Sequence, residues 1–156
     1  EAYSITQGDG NVGYGTEAVA ELLQVMENYK NKFICIAAGY PREMSQWLDS
    51  NSGLSSRFTT TINFADYNAA ELTHIAEGIF TKKNLRITDD ARQAMLFYFT
   101  RLVNARSANF ANAREARNYV DKVILNQGRR LRAEMRMPDF DTNRAFVIEA
   151  PDMQID

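Results

Sequence analysis

Cysteine and histidine are almost absent from this 156-residue sequence: Cys35 and His74 are the only ones. One cysteine excludes an intrachain disulfide and leaves a cysteine-ligated zinc site short of sulfur. One histidine leaves a single possible base for any Ser-His or Cys-His nucleophile. No long apolar run is present either. The longest, Phe33 to Ala38, is FICIAA, far below the roughly 20 residues that span a bilayer. No basic-then-apolar signal segment opens the chain, so a cytoplasmic protein with no membrane partner is expected. The motif GxxxxGK[ST] occurs nowhere, so the isolated chain has no backbone cradle for a nucleotide's phosphates. There is no internal repeat. At 45% hydrophobic and 24% charged residues, the composition excludes a collagen-like, low-complexity or disordered chain.

Charge is scarce in sum and uneven in place. The formal net charge is −2, which gives no bulk reason to expect nucleic acid as a partner. Residues 1–100 hold 8 basic and 12 acidic side chains, net −4. Residues 101–137 hold 9 basic and 3 acidic, net +6, and eight of those nine cations are arginines. The tail, 138–156, returns to net −4 with 1 basic and 5 acidic residues. Arginine is the side chain suited to bidentate phosphate or carboxylate contacts. A solvated helix face accounts for such a block equally well.

The hydrophobic pattern predicts two kinds of architecture in succession. Four glycines in eight residues (Gly8, Gly10, Gly13, Gly15) predict a mobile loop, with Thr16 as N-cap of a helix to about Tyr29 that carries Val19, Leu22, Leu23 and Met26 inward. Phe33–Ala38 reads as a strand buried on both faces, with Cys35 as inert core. A short helix with Met44, Trp47 and Leu48 follows, Trp47 as its packing anchor. SNSG (50–53) stops it, and Thr60, Ile62 and Phe64 alternate as a second strand. From about residue 66 the period is helical. Asn68 and Glu71 form an N-cap pair ahead of Leu72, Ile75, Ile79 and Phe80. His74 sits off that apolar stripe and is expected to face solvent. Thr88 caps a helix with Ala91, Met95, Tyr98, Phe99 and Leu102. A third helix runs from about Asn112 to Glu134, with Ala116, Tyr119, Val120, Val123, Ile124 and Leu131 inward. A strand at Ala145–Glu149 closes the chain.

Four segments then become recognisable in order: EAVAELLQVMENYKN, FICIAAGYPREM, SNSGLSSRF and FANAREARN. Together they resemble the CbbX/CfxQ-type group of AAA+ ATPases, which also includes sporulation and type VII secretion ATPases. The resemblance runs from EAY to RAFVIEAPDM. It implies an α/β fold: a partial P-loop NTPase parallel sheet, followed by an all-α AAA+ lid with a short C-terminal strand. Residues 1–65 would be the C-terminal part of the large subdomain, and 66–156 the lid. The family's Walker B strand ends in D-E-A-Y, so Glu1-Ala2-Tyr3 implies a C-terminal half that begins inside the active site, with the phosphate loop and pore loop upstream.

The same resemblance implies roles for five residues. Glu1 matches the Walker B glutamate that orients the attacking water, unless it is only a frayed terminus. Arg57 matches the arginine finger that reaches a neighbouring subunit's nucleotide; related members often read R-S-R where this chain reads Ser55-Ser56-Arg57. The alternative is an arginine holding a helix C-terminus. Arg114 matches sensor 2. Arg117, one turn further on, meets nucleotide or a protein neighbour. Tyr40 stands at the sensor 1 position, as sensor or as packing residue. The resemblance further implies ATP and Mg2+ as cofactors in the full-length protein, no resident metal site in this chain, a homo-hexamer, and remodelling of a protein substrate. The competing reading is a non-catalytic interaction or oligomerisation module whose basic lid helix docks an acidic partner or nucleic acid.

Overall fold

The computed structural model describes residues 1–6, 12–105 and 110–155. The chain divides into two compact units, Glu1–Phe64 and Ala65–Asp156.

The first unit opens with a 3₁₀ turn, Ala2–Ile5, followed by α1 (Val12–Asn28), α2 (Pro41–Asp49) and α3 (Ser52–Arg57). Its core is small: Tyr3, Val19, Trp47 and Leu54 are buried, with Leu23, Met44, Leu48 and Phe58 packed around them. Trp47 is the expected anchor, its ring 5.7 Å from that of Phe58. Helix α1 starts earlier than the sequence pattern predicts, so Thr16 lies inside it and is not its N-cap. Gly15 explains the difference. A Cβ there would stand 2.5 Å from the Ile5 carbonyl oxygen, so the bare backbone of an early helical turn packs directly on the 3₁₀ turn. Gly8 and Gly10 of the predicted loop lie outside the described residues.

The segments 33–38 and 60–64 depart from their reading as strands. Neither has a ladder partner among the described residues. Ile34 and Ile36 are 88% and 85% exposed, Ile62 and Phe64 are exposed too, and Cys35 is half-buried. A short apolar run or an alternation of side chains specifies at most local extension; a strand also needs a neighbour to take its N–H and C=O groups.

The second unit contains α4 (Ala69–Lys82), β1 (Arg86–Ile87), α5 (Asp89–Asn104), α6 (Ala113–Glu134), a 3₁₀ turn at Thr142–Phe146, β2 (Val147–Ile148) and a last 3₁₀ turn at Ala150–Met153. This is the predicted helical lid with its C-terminal strand. The expected caps are present. Asn68 accepts from the Glu71 N–H, and the Glu71 carboxylate accepts from the Asn68 N–H, a reciprocal box at the start of α4. Thr88 accepts from the Ala91 N–H to start α5. Helix α4 ends with Asn84 in the left-handed region at φ 59°. Leu85 N–H reaches Phe80 O and Asn84 N–H reaches Thr81 O, each at 3.0 Å, the paired bonds of a Schellman termination.

Of the residues their periodicity predicts, Leu72 and Phe80 from α4, Ala91, Met95 and Phe99 from α5, and Ala116, Tyr119, Val120 and Val123 from α6 are buried, together with Ala76, which the pattern did not mark; Ile75, Ile79, Tyr98, Leu102 and Ile124 are partly buried against them. The rings of Tyr98, Phe99 and Tyr119 cluster with centroids 4.4–5.4 Å apart. Burial pushes the Tyr119 phenol well above its ordinary value; its hydroxyl faces the Met153 carbonyl oxygen at 3.4 Å. His74 faces solvent, as expected.

The tail is held by charge. Arg130 on α6 grips Asp152 through two bonds, Nε to Oδ1 at 2.8 Å and Nη2 to Oδ2 at 2.9 Å. It also donates to Val147 O at 3.0 Å and pairs with Glu134 and Glu149. Asp152 is 1% exposed, so its charge is tolerable only because it is paired. Gln127 donates to Ala145 O and Val147 O. The strand so positioned pairs in parallel with β1, Arg86 beside Val147 and Ile87 beside Ile148.

Removing the cation of the Arg130–Asp152 pair should therefore cost far more than removing both partners. Arg130→Met is expected to lower stability by about 3–5 kcal/mol, since it leaves the buried Asp152 carboxylate without its cation; Asp152→Ala should cost less, because Arg130 keeps Glu134 and Glu149. The double variant should recover a substantial part of the loss. Urea denaturation of the four proteins, read as a double-mutant cycle, measures the difference.

Candidate functional site

The residues singled out by sequence fall into both units. Glu1, Tyr40 and Arg57 belong to the first, Arg114 and Arg117 to the second.

Glu1 and Tyr40 are brought together by the small core. Ala2 N–H donates to Ala38 O at 2.9 Å, which lays the 3₁₀ turn beside the extended segment leading to Tyr40. Tyr3 plugs the space next to Gly39, where a Cβ would stand 2.6 Å from its ring. Burial raises the Tyr3 phenol above its ordinary value, followed by the Glu1 and Glu43 carboxylates. Glu1 is exposed, and its carbonyl accepts from the Ser4 N–H and hydroxyl. Tyr40 precedes Pro41 at the start of α2 in extended backbone (φ −71°, ψ 142°), and its side chain is exposed.

Arg57 is the last residue of α3. Its Nη2 donates to Glu27 Oε2 on α1 at 2.9 Å, its Nη1 reaches Gly53 O at 3.4 Å, and its buried Nε has no partner. The guanidinium is thus folded against its own unit.

Arg114 and Arg117 lie in the first two turns of α6, three residues apart and on one face. Both are exposed, and neither side chain has a hydrogen bond or ion pair among the described residues. Their helix start is fixed by Asn112, which the sequence marked only as a boundary. Asn112 has φ 55° and ψ −127°, costly for a residue with a Cβ. Its side chain accepts from Tyr67 N–H at 3.0 Å and donates to Asp66 Oδ1 at 2.9 Å. These bonds tie the entry to α4 to the entry to α6.

The open guanidiniums at a helix N-terminus fit an anionic group such as a phosphate. No cluster of three or more His, Cys, Asp or Glu among the described residues could hold a metal. Residues 68–156 match the family described as AAA lid domain. The chain belongs to that family. It is 38% identical over 131 residues to a protein CfxQ homolog of Galdieria sulphuraria, covering 84% of this chain and 42% of that one. Over the same length it is 38% identical to a chloroplastic ribulose bisphosphate carboxylase/oxygenase activase of Cyanidioschyzon merolae (84% and 44%) and 37% identical to the chromosomal protein CbxX of Cupriavidus necator (84% and 41%). The AAA lid chain is thus a CbbX/CfxQ-type AAA+ protein, and it spans less than half the length of these relatives. No helix in its described residues is long and apolar enough to cross a membrane.

Within the lid, Asn112 should act as the fixed point that aims the start of α6. Asn112→Ala, which keeps the backbone cost and loses both side-chain bonds, is expected to reduce stability by about 1–3 kcal/mol. Asn112→Gly should lose less, because it relieves the positive φ. Chemical denaturation of the two variants separates the contributions.

Proposed function

We propose that this lid chain works in an ATP-hydrolysing AAA+ remodelling machine, as part of a hexameric ring that acts on a protein substrate. The observation that carries the reading is the presence, in an AAA lid, of two open guanidiniums on the first turns of α6. In this reading Arg114 contacts the nucleotide's phosphates as sensor 2. Arg117 adds a second cation on the same face. Residues 1–65 are the C-terminal part of the large subdomain. Arg57, carried by α3, is the finger that stabilises transition-state charge on a neighbour's nucleotide. Glu1 holds the attacking water, and Tyr40 lies near it through the Tyr3–Gly39 packing. ATP supplies the transferred phosphoryl group, and magnesium is a cofactor of the full-length protein.

Two features support catalysis over a purely adhesive module. A docking surface has no chemical need for arginines placed on two separate units, whereas phosphoryl transfer is catalysed mainly by positioning and charge stabilisation. The Cyanidioschyzon relative is an activase of a carboxylase/oxygenase, which supports a protein as the substrate.

The test uses the full-length protein. Arg57→Ala should lower ATP turnover by roughly 10³-fold or more, the scale of an arginine finger, with nucleotide affinity little changed. Arg114→Ala should weaken nucleotide binding itself. Steady-state turnover together with equilibrium binding of a fluorescent ATP analogue reads both. Undiminished turnover in Arg57→Ala would remove the finger assignment.

A further inference from the structure

We propose that Glu27 is a latch on Arg57, holding the guanidinium against its own unit until a phosphate competes for it. The proposal rests on the reading of Arg57 as the finger.

The latch is built by packing. Helix α3 lies on α1 with Gly53 against Leu23; a Cβ at Gly53 would stand 2.8 Å from the Leu23 Cδ1. Four residues further along each helix, on the same faces, Glu27 meets Arg57. Two contacts of equal spacing, Leu23 with Gly53 and Glu27 with Arg57, fix the register between the helices. The carboxylate therefore stands where the guanidinium emerges.

Glu27 also dominates the guanidinium's hydrogen bonding. The Glu27 bond is 2.9 Å, while the bond to Gly53 O is 3.4 Å, and that oxygen already accepts from the Ser56 hydroxyl at 3.0 Å. Nε has no acceptor. The retracted guanidinium is thus only partly satisfied, and a phosphate with several acceptor oxygens offers it more.

Helix electrostatics give Glu27 no other reason to be anionic. It is the penultimate residue of α1, where the negative end of the helix dipole disfavours a carboxylate. It is also 62% exposed, against 28% for the Arg57 side chain. An exposed pair of this kind is weak, worth a factor of about 5 or less in population. A weak, solvent-accessible partner is a restraint that an incoming phosphate can displace; a buried one would be a permanent anchor. Neutralising Glu27 should release the finger without disturbing the core.

The experiment measures turnover of full-length Glu27→Gln, Glu27→Asp, Arg57→Ala and the Glu27→Gln/Arg57→Ala double variant, with ring assembly verified for each. Glu27→Gln is expected to raise kcat about 2–5-fold at unchanged KM and unchanged thermal midpoint, and Glu27→Asp to stay at the wild-type rate. The double variant should fall to the level of Arg57→Ala, because the latch acts only through the finger. If Glu27→Gln leaves kcat unchanged or lowers it while Arg57→Ala abolishes turnover, the latch is wrong and the finger stands. If Arg57→Ala itself leaves turnover intact, the finger reading fails and takes the latch with it.

Discussion

The architecture of the lid depends on one buried ion pair, Arg130 with Asp152. A carboxylate 1% exposed in a protein interior carries a desolvation cost that only close, fully bonded pairing offsets. The partners lie 22 residues apart, so satisfying them forces the chain to turn back along α6. Everything between is placed by that return. Arg130 takes Val147 O, the Glu149 N–H donates to Asp152, and Asn126 binds Asp152 O and Gln154 O. The strand β2 is then in register for β1, and Thr88 N–H donates to Ile148 O at 3.1 Å just where α5 begins. A charge pair at one edge of the unit thereby fixes the start of a helix at another.

The first unit is organised by close approach rather than by charge. Gly15 against Ile5, Gly39 against Tyr3 and Gly53 against Leu23 are places where any side chain would collide. These contacts let a core of four buried side chains hold three helices and a 3₁₀ turn. They also decide where the chemistry-bearing groups stand: Glu1 and Tyr40 beside the Tyr3–Gly39 contact, and Arg57 one turn beyond Gly53. On the proposed function, packing in this small core sets the geometry of water and finger, while the lid's ionic tail keeps α6 and its two open arginines in place.

Most of the lid was legible in the sequence because its signals are local. Asn68 with Glu71, Thr88 ahead of Ala91, and apolar residues at helical spacing each report within a turn or two. The strand at Val147–Ile148 lies within the one expected at Ala145–Glu149. Its partner, Arg86–Ile87, was not expected, since two residues carry no period. The Arg130–Asp152 pair and Gln127 are long-range, and Arg130 read simply as one more cation in a basic block. In the first unit, the apolar run at Phe33–Ala38 and the alternation at Thr60–Phe64 gave extension without pairing, because a ladder is a property of two segments. Thr16 misled as a cap because the close approach at Gly15 cannot be seen in one dimension. Among the candidate site residues, identity came from resemblance and position from structure. The partner of Arg57, Glu27, lies 30 residues away and left no motif. Asn112 hid its role behind a backbone angle.

On the proposed function, groups from different subunits complete one hydrolytic site, and a subunit-mixing experiment tests this most directly. Full-length Arg57→Ala subunits are mixed with full-length subunits carrying Glu1→Gln, each inactive alone, and ATP turnover is followed as the ratio is varied. Some interfaces in mixed rings then pair an intact carboxylate with an intact guanidinium from the neighbour. Partial recovery of turnover is expected, greatest near equal proportions. Mixed rings that demonstrably form and yet recover no activity at any ratio would contradict a shared site, and would leave Arg57 as a cation that holds the end of α3.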